Sequence, residues 1–196
     1  MKINKYVAEL IASFTLTFAV SISIISGTPM ATPLVAALVV GIFVYTIGPI
    51  SGAHISPAVT VGLLSVKKIN LRDAAVYIIS QIVGAVLAMI VVQGATEGAV
   101  DVAAVDSMQS FLAEGLGTFI LVFGISSVVF GKVSDSASGL VIGGSLLAGL
   151  MVTGGMSNAV LNPAVAIALG SVSMAYIVAP VVGAIIAAFV YRKISQ

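Results

Sequence analysis

The sequence predicts an all-α membrane protein with six transmembrane helices and two re-entrant half-helices, arranged as two inverted three-helix repeats within one domain, residues 1–196. Composition is the first observation behind this prediction, because 60% of the 196 residues are hydrophobic and 8% are charged. A water-soluble surface of ordinary charge density cannot be built from such a chain. The chain has no cysteine and one histidine, which removes thiol chemistry and multi-histidine metal sites, so we expect no cofactor and no metal.

The second observation is a pair of matched stretches, residues 51–59 (SGAHISPAV) and residues 157–165 (SNAVLNPAV). In each stretch a small polar residue precedes a proline and an alanine: Ser56, Pro57 and Ala58 in the first, and Asn162, Pro163 and Ala164 in the second. A side-chain oxygen at N-cap followed by a proline at N1 is typical of a helix start. We therefore expect Ser56 and Asn162 to cap two short helices.

Both of these short helices are predicted to be half-helices. Each is apolar for only about ten residues, roughly 15 Å, which is half of the ~30 Å hydrocarbon core of a bilayer. Non-helical backbone at membrane depth is tolerated only where it is buried in protein or lines a wet cavity. One such segment alone would indicate an ordinary loop. A pair in corresponding halves of the chain predicts a channel or a binding site at the bilayer midplane.

The full spans are predicted in chain order, three in each repeat. The first repeat, residues 1–95, has spans at residues 6–26, 33–50 and 73–92, and the second repeat, residues 107–196, has a span that ends near Phe130 and spans at residues 140–154 and 175–191. Residues 6–26 could also be a signal peptide, but the apolar run is too long for the hydrophobic region of one. Its Ala-Glu pair at Glu9 also recurs at Glu114, which indicates a retained span that is repeated in the second half. Residues 96–106, with the acids Glu97, Asp101 and Asp106, are the predicted external linker.

An odd number of spans in each repeat means that the second repeat enters the membrane from the opposite side. The N-termini of the two half-helices then meet near the midplane. Small residues spaced by four, Gly84 with Ala88 and Gly183 with Ala187, predict close helix–helix contact in the membrane. The alternative is that these residues simply face the lipid and make no helix contact.

The distribution of basic residues is the third observation. Lysine and arginine occur at Lys2, Lys5, Lys67, Lys68, Arg72, Lys132, Arg192 and Lys193. The predicted threading puts all of them on one side of the membrane, which the positive-inside rule assigns to the cytoplasm. We therefore expect a multi-pass membrane protein with both termini cytoplasmic, and we assign it to a prokaryotic plasma membrane. The lipid bilayer is an expected partner, and without a basic patch a nucleic acid is not.

The two motifs resemble those of the aquaporin and aquaglyceroporin (major intrinsic protein) family. Its signature is a duplicated Asn-Pro-Ala, the first within Ser-Gly-X-His-X-Asn-Pro-Ala. Here the first copy is Ser-Pro-Ala and the second is Asn-Pro-Ala, and the resemblance extends along the whole chain. It implies the aquaporin fold and a passive channel for water or small neutral solutes, such as glycerol-sized polyols, urea and gases. It also implies a homotetramer with one pore per subunit.

The resemblance also implies roles for single residues. Glu9 and Glu114 resemble the buried glutamates that hold the re-entrant loops through backbone N–H groups, although acids at this depth would relay protons in a transporter. His54 resembles a pore-lining histidine, with a histidine satisfied inside the loop as the alternative. The outer selectivity constriction falls on Ala36, Leu150, Ala159 and Val165, and Val165 occupies the place where the family usually has an arginine.

Several functional alternatives remain open. An ion- or proton-permeable channel of the same fold is favoured by the missing arginine, but an apolar ring can exclude ions by dewetting. A secondary transporter would need an ion-coupling site, and the sequence does not indicate one. A structural membrane tetramer with little transport is the third alternative. An enzyme is not expected, because nothing resembles a nucleophile with its base or a metal cluster.

Overall fold

The structure is a computed structural model that describes residues 3–27, 31–96, 100 and 102–196. The helices in these ranges are α1 (Asn4–Ser26), α2 (Thr32–Ser51), α3 (Pro57–Ser65), α4 (Leu71–Ala95), α5 (Met108–Val129), α6 (Asp135–Thr153), α7 (Pro163–Ala168) and α8 (Met174–Ile194). Among the described residues, six helices are long and apolar enough to cross a membrane, and α3 and α7 are the short ones. The predicted fold class is confirmed. The linker acids Glu97 and Asp101 lie outside the described residues.

The helix bounds differ from the predicted spans mainly at α6. This helix begins at Asp135, five residues before the predicted start at residue 140, because the polar stretch before the apolar run already forms its first turn. The Ser138 hydroxyl donates to the Asp135 carbonyl there, at 2.8 Å. Helix α8 extends to Ile194 and places Arg192 and Lys193 in its last turn, where cations complement the negative end of the helix dipole.

The packing of the helices interlocks the two repeats. Within each repeat the first span packs on the last, α1 on α4 and α5 on α8, and α2 packs on α6 between the repeats. Each half-helix packs against the last span of the other repeat, α3 on α8 and α7 on α4. Each half-helix therefore has its largest helix contact in the other repeat, beside a smaller one with the last span of its own repeat.

Glycines allow the closest helix contacts. A β-carbon at Gly84 would overlap the Leu10 carbonyl oxygen of α1, and one at Gly183 would overlap the Gly115 carbonyl oxygen of α5. Their partners at the i+4 positions, Ala88 and Ala187, are fully buried. The predicted small-residue contacts are confirmed, at the matching place in both repeats.

One end of the bundle, which we call the basic end, gathers the start of α1, the α3–α4 loop and the ends of α5 and α8. Lys5 Nζ lies 2.6 Å from Asp73 Oδ2 at the start of α4. Lys68 Nζ donates to the Val129 carbonyl oxygen at 3.2 Å and lies 4.4 Å from the centre of the Phe130 ring. Phe130 in turn stacks on Tyr191, next to Arg192. The basic residues described by the structure therefore share one end, as the sequence predicts.

Candidate permeation pathway

Two cavities lie between the helices. The outer cavity, of about 310 Å³, extends from Thr32 and Pro33, at the end of the bundle opposite the basic end, past both re-entrant loops to His54. The inner vestibule, of about 730 Å³, is lined by the α3–α4 loop and by residues of the basic end, among them Asp73. Of the described residues that line these cavities, only His54 belongs to both linings. The imidazole therefore lies at the junction of the two cavities.

The first re-entrant loop is held by the fully buried carboxylate of Glu9. Its Oε1 accepts hydrogen bonds from the Ser51 hydroxyl at 2.6 Å and the His54 N–H at 3.0 Å. Its Oε2 accepts from the Ile55 N–H at 2.7 Å and Gln81 Nε2 at 2.8 Å. A buried carboxylate is tolerated when donors replace its lost water in this way. The backbone N–H groups of His54 and Ile55 therefore point toward the Glu9 carboxylate.

The second re-entrant loop repeats this arrangement around the fully buried Glu114. Glu114 Oε1 accepts from the Ser157 hydroxyl at 2.7 Å and the Val160 N–H at 3.0 Å. Oε2 accepts from the Leu161 N–H at 2.7 Å. The sequence pattern did not single out Ser51 and Ser157 as partners of the glutamates, although both are the first residue of their motif.

In both loops, two non-glycine residues separated by one residue have the left-handed backbone conformation. Positive φ values occur at Ala53 (50°) and Ile55 (59°), and at Ala159 (47°) and Leu161 (53°). Each costs roughly 1–2 kcal/mol for a residue with a β-carbon, which the bonds to the glutamates offset. In a trans peptide the carbonyl points opposite to the following N–H. The carbonyls of Ala159 and Val160 therefore point away from Glu114, and both residues line the outer cavity.

The two half-helix starts differ in their caps. Asn162 Oδ1 accepts from the Ala164 N–H at 3.1 Å and caps α7. Its Nδ2 donates to the Ile55 carbonyl oxygen at 3.3 Å, which links the two re-entrant loops. Ser56 occupies the N-cap position of α3, but its side chain makes no cap bond. The expectation that Ser56 caps α3 through its side chain is wrong, because the serine hydroxyl does not reach the first-turn N–H groups.

The Ser56 hydroxyl has no hydrogen-bond partner among the described residues, although it is buried and its residue lines the outer cavity. The residues that complete the two motifs are buried in the first turns of the half-helices: Pro57, Ala58, Pro163 and Ala164. An unsatisfied buried hydroxyl is disfavoured unless a mobile partner reaches it. The oxygen has less than 1 Å² of accessible surface, so a molecule in the cavity can be that partner only after a small shift of the loop.

The four positions expected to form the outer constriction all line the outer cavity. Ala36 comes from α2, Leu150 from α6, Ala159 from the second loop and Val165 from the first turn of α7. None of these side chains carries a charge or a hydrogen-bonding group. Asn158, Asn162 and the loop carbonyls supply polar atoms in the same lining. The cavity is therefore mainly apolar, with its polar groups concentrated along the loops.

His54 is both buried and hydrogen-bonded. Its side chain is 8% exposed, and Nδ1 lies 3.2 Å from the Thr60 hydroxyl oxygen. The ring packs edge-on against Tyr77, with centroids 5.1 Å apart. The residue lines both cavities, and its side-chain partner belongs to helix α3 and not to the loop, so a pore-lining role for His54 stays a prediction. Thr60, which bonds to His54, and Gln81, which bonds to Thr60, were not singled out as its neighbours from the sequence, since neither belongs to the motif core.

Comparison with known proteins agrees with this geometry. The profile of the major intrinsic protein family matches residues 1–191. A glycerol uptake facilitator protein-like 6 from Lactiplantibacillus plantarum is 34% identical, over 96% of this chain and 97% of that protein. Aquaporin AqpM from Methanothermobacter thermautotrophicus is 32% identical, over 87% of this chain and 78% of that protein. The crystal structure of the aquaglyceroporin from Plasmodium falciparum superposes with a TM-score of 0.77 at 22% identity, over 99% of this chain and 97% of that one.

Proposed function

Because this chain belongs to the major intrinsic protein family, we propose that it is a passive channel whose apolar outer constriction, which has no arginine, passes neutral solutes larger than water. Similarity to aquaporins and to a glycerol uptake facilitator supports a passive channel for water or small solutes in an integral multi-pass membrane protein. The observation that carries the finer proposal is the lining of the outer cavity by Ala36, Leu150, Ala159 and Val165. The family is one of transporters, so we expect no enzymatic activity.

Size and hydrogen bonding set the selectivity in this proposal. An arginine at residue 165 would narrow the cavity and offer fixed donors to single water molecules, whereas Val165 does neither. A wider apolar passage admits a polyol or urea and gives little help to water. Solutes then regain hydrogen bonds at the loop carbonyls and at Asn162, beyond the constriction.

Ions are excluded by two features in this proposal. The half-helices begin at Pro57 and Pro163, and their N-termini, joined by the bond from Asn162 to the Ile55 carbonyl, put partial positive charge near the midplane. An apolar ring also dewets around an ion, which cannot regain its lost hydration there. A proton- or ion-permeable channel remains the competing function because the arginine is absent.

The orientation and assembly of the protein belong to the same proposal. The concentration of described basic residues at one end of the bundle supports cytoplasmic termini under the positive-inside rule. Single cysteines at Thr96 and Ser195, in a chain that has no other cysteine, should label from opposite sides of the membrane. The homotetramer remains a prediction from family similarity, and the prokaryotic plasma membrane also remains a prediction.

The function is tested by osmotic shock of proteoliposomes, followed by light scattering, with an impermeant sugar, glycerol and urea. We expect glycerol and urea to equilibrate well above the rate of empty liposomes, with modest water flux. Val165→Arg should reduce solute flux much more than water flux. Val165→Ala, which keeps the ring apolar, is the matched control and should retain solute flux.

An ion-sensitive dye in the same liposomes separates the competing function, since a leak of protons or ions would favour it. The proposal fails if the wild-type protein, shown to be folded and inserted, passes water but excludes both glycerol and urea. Absence of any flux from such protein would instead indicate the structural tetramer.

A further inference from the structure

We propose that Thr60 is a positioning residue that fixes the tautomer of His54, so that the junction of the two cavities presents a hydrogen-bond acceptor and favours permeants rich in N–H or O–H donors. This inference rests on the proposed channel function and names the class of solute that its inner neck selects. It places a second selective element on the side of the basic end, away from the apolar outer ring.

The location of His54 makes its outward nitrogen important. His54 is shared by the linings of both cavities. The Cδ2 and Nε2 atoms of the ring face Gly52, where an added β-carbon would lie 3.4 Å from each. Gly52 lines the inner vestibule. The Nε2 edge therefore faces the vestibule, while Nδ1 faces Thr60 on the protein side.

The donors around Thr60 are fixed by Glu9. The amide of Gln81 must turn its Nε2 toward the Glu9 carboxylate, which accepts at 2.8 Å, because a carboxylate offers only acceptors. The same Nε2 lies 3.1 Å from the Thr60 hydroxyl oxygen and donates its second hydrogen there. The Thr60 oxygen is thus an acceptor for Gln81, and its own single hydrogen remains to be placed.

That hydrogen has three candidate acceptors, of which Gln81 Oε1 is the most distant, at 3.5 Å, and a bond to it would also leave a lone pair of the hydroxyl for Nδ1–H. The Ser56 carbonyl oxygen lies 3.0 Å from the hydroxyl and also accepts the Thr60 N–H. His54 Nδ1 lies 3.2 Å away. If the hydroxyl donates to the carbonyl, its remaining lone pair accepts Nδ1–H, and both lone pairs of the carbonyl are used. If it donates to Nδ1, the network contains one hydrogen bond fewer.

The arrangement with more hydrogen bonds is favoured in a buried network. It puts the imidazole proton on Nδ1 and leaves Nε2 as a bare acceptor that faces the vestibule. The hydrogen bond made by one ring nitrogen commonly sets the state of the other. A permeant that donates N–H or O–H is then satisfied at the junction, whereas one that only accepts is not.

The tautomer is measured directly, because His54 is the single histidine of the chain. Histidine labelled at its ring nitrogens and carbons is incorporated into the full chain in liposomes and examined by solid-state NMR at mildly alkaline pH, where an imidazole is neutral. We expect a protonated Nδ1 and a bare Nε2 in the wild-type protein. A protonated Nε2 overturns the proposal without the need for any variant.

The role of Thr60 is tested by Thr60→Val, which removes the hydroxyl at nearly constant shape. Without an acceptor for Nδ1–H, the proton should move to Nε2, and Thr60→Ser should restore the wild-type spectrum. Thr46→Val is the matched control, because Thr46 makes the same kind of bond to its own helix, at 3.1 Å, on the exposed face of α2. An unchanged tautomer in folded Thr60→Val overturns the role of Thr60.

Flux supplies the second measurement. We expect the permeability of urea relative to that of dimethyl sulfoxide, which accepts hydrogen bonds but has no N–H or O–H to donate, to fall about fivefold in Thr60→Val, the effect of one lost hydrogen bond, and to be retained in Thr60→Ser and Thr46→Val. A ratio that does not change while the tautomer does overturns the selective role of the junction. The NMR result does not depend on conduction, so absence of solute flux in the wild-type protein counts against the proposed function alone.

Discussion

The first re-entrant loop, residues 52–56, and the second, residues 158–162, share a backbone but differ in the side chains that secure them. In both, the non-glycine residues with positive φ alternate along the loop, and a buried glutamate accepts two consecutive N–H groups and a serine hydroxyl. The first loop adds Gln81 to its glutamate and Thr60 to its histidine. The second loop instead has Asn162, which caps α7 and reaches across to Ile55.

The two loops therefore differ in where their polar side chains lie, although their backbones are alike. The positions in the second repeat that correspond to Thr60 and Gln81 are Ala166 and Pro180. Neither of these side chains can form a hydrogen bond. The hydrogen-bond network of Thr60 and Gln81 therefore has no counterpart in the second repeat. The midplane link is made by the second repeat alone, since Ser56 makes no side-chain bond within the described residues.

The largest expected effect separates the two buried glutamates. Glu9→Leu removes the acceptor of Ser51, His54, Ile55 and Gln81, and unpaired buried donors cost about 1–3 kcal/mol each. We expect a loss of stability on the order of 5 kcal/mol, enough to unfold a marginally stable protein. Glu114→Leu should cost less, about 3 kcal/mol, because its partners include no glutamine.

Thermal unfolding in detergent checks this difference. Ser13→Ala serves as the control, because it removes a single hydrogen bond, to the Gln81 carbonyl, from the same helix as Glu9. It should lower stability by about 1 kcal/mol. Equal losses for the two glutamate variants would show that Gln81 adds nothing to the first loop.

A smaller effect should be the same in both repeats. Gly84→Ala and Gly183→Ala each place a β-carbon against a backbone carbonyl of the neighbouring span. Such overpacking costs typically 1–3 kcal/mol. Gly144→Ala is the control, because nothing lies within 4 Å of a β-carbon there, and alanine is favoured over glycine in a helix. Unfolding temperatures should therefore fall for the first two variants and hold or rise for Gly144→Ala.

The features that could be predicted from the sequence are those with a local or repeated cause. Hydropathy predicts the six spans because each span must match the bilayer by itself. The paired proline motifs predict the half-helices, and the resemblance to the family, counted from these motifs, indicates Ala36, Leu150, Ala159 and Val165, all of which line the outer cavity. The inverted repeat followed from an odd number of spans.

The features that could not be predicted depend on contacts between distant segments. Gln81 lies 72 residues from Glu9 in the chain, and nothing local marks it as the partner of a carboxylate. The packing of each half-helix on the other repeat is likewise a result of the whole assembly. Ser56 has the residue type of a cap, but whether its hydroxyl reaches an N–H depends on the local backbone geometry.

The last comparison, between Asn162 and Ser56, has the smallest expected effect on stability. Asn162→Ala removes the cap of α7 and the link to Ile55, so we expect a loss of about 1–2 kcal/mol. Ser56→Ala breaks no hydrogen bond within the described chain, and its stability should remain near that of the wild-type protein.

Solute flux in proteoliposomes should respond to these two variants differently from stability. Because the hydroxyl of Ser56 and the amide of Asn162 both belong to residues that line the outer cavity, both variants should slow permeation, Asn162→Ala the more. Ser56→Asn should fold, since asparagine is at least as good an N-cap residue as serine. If Ser56→Ala lowers stability as much as Asn162→Ala, the serine has a structural partner, and its hydroxyl is not free for a permeant.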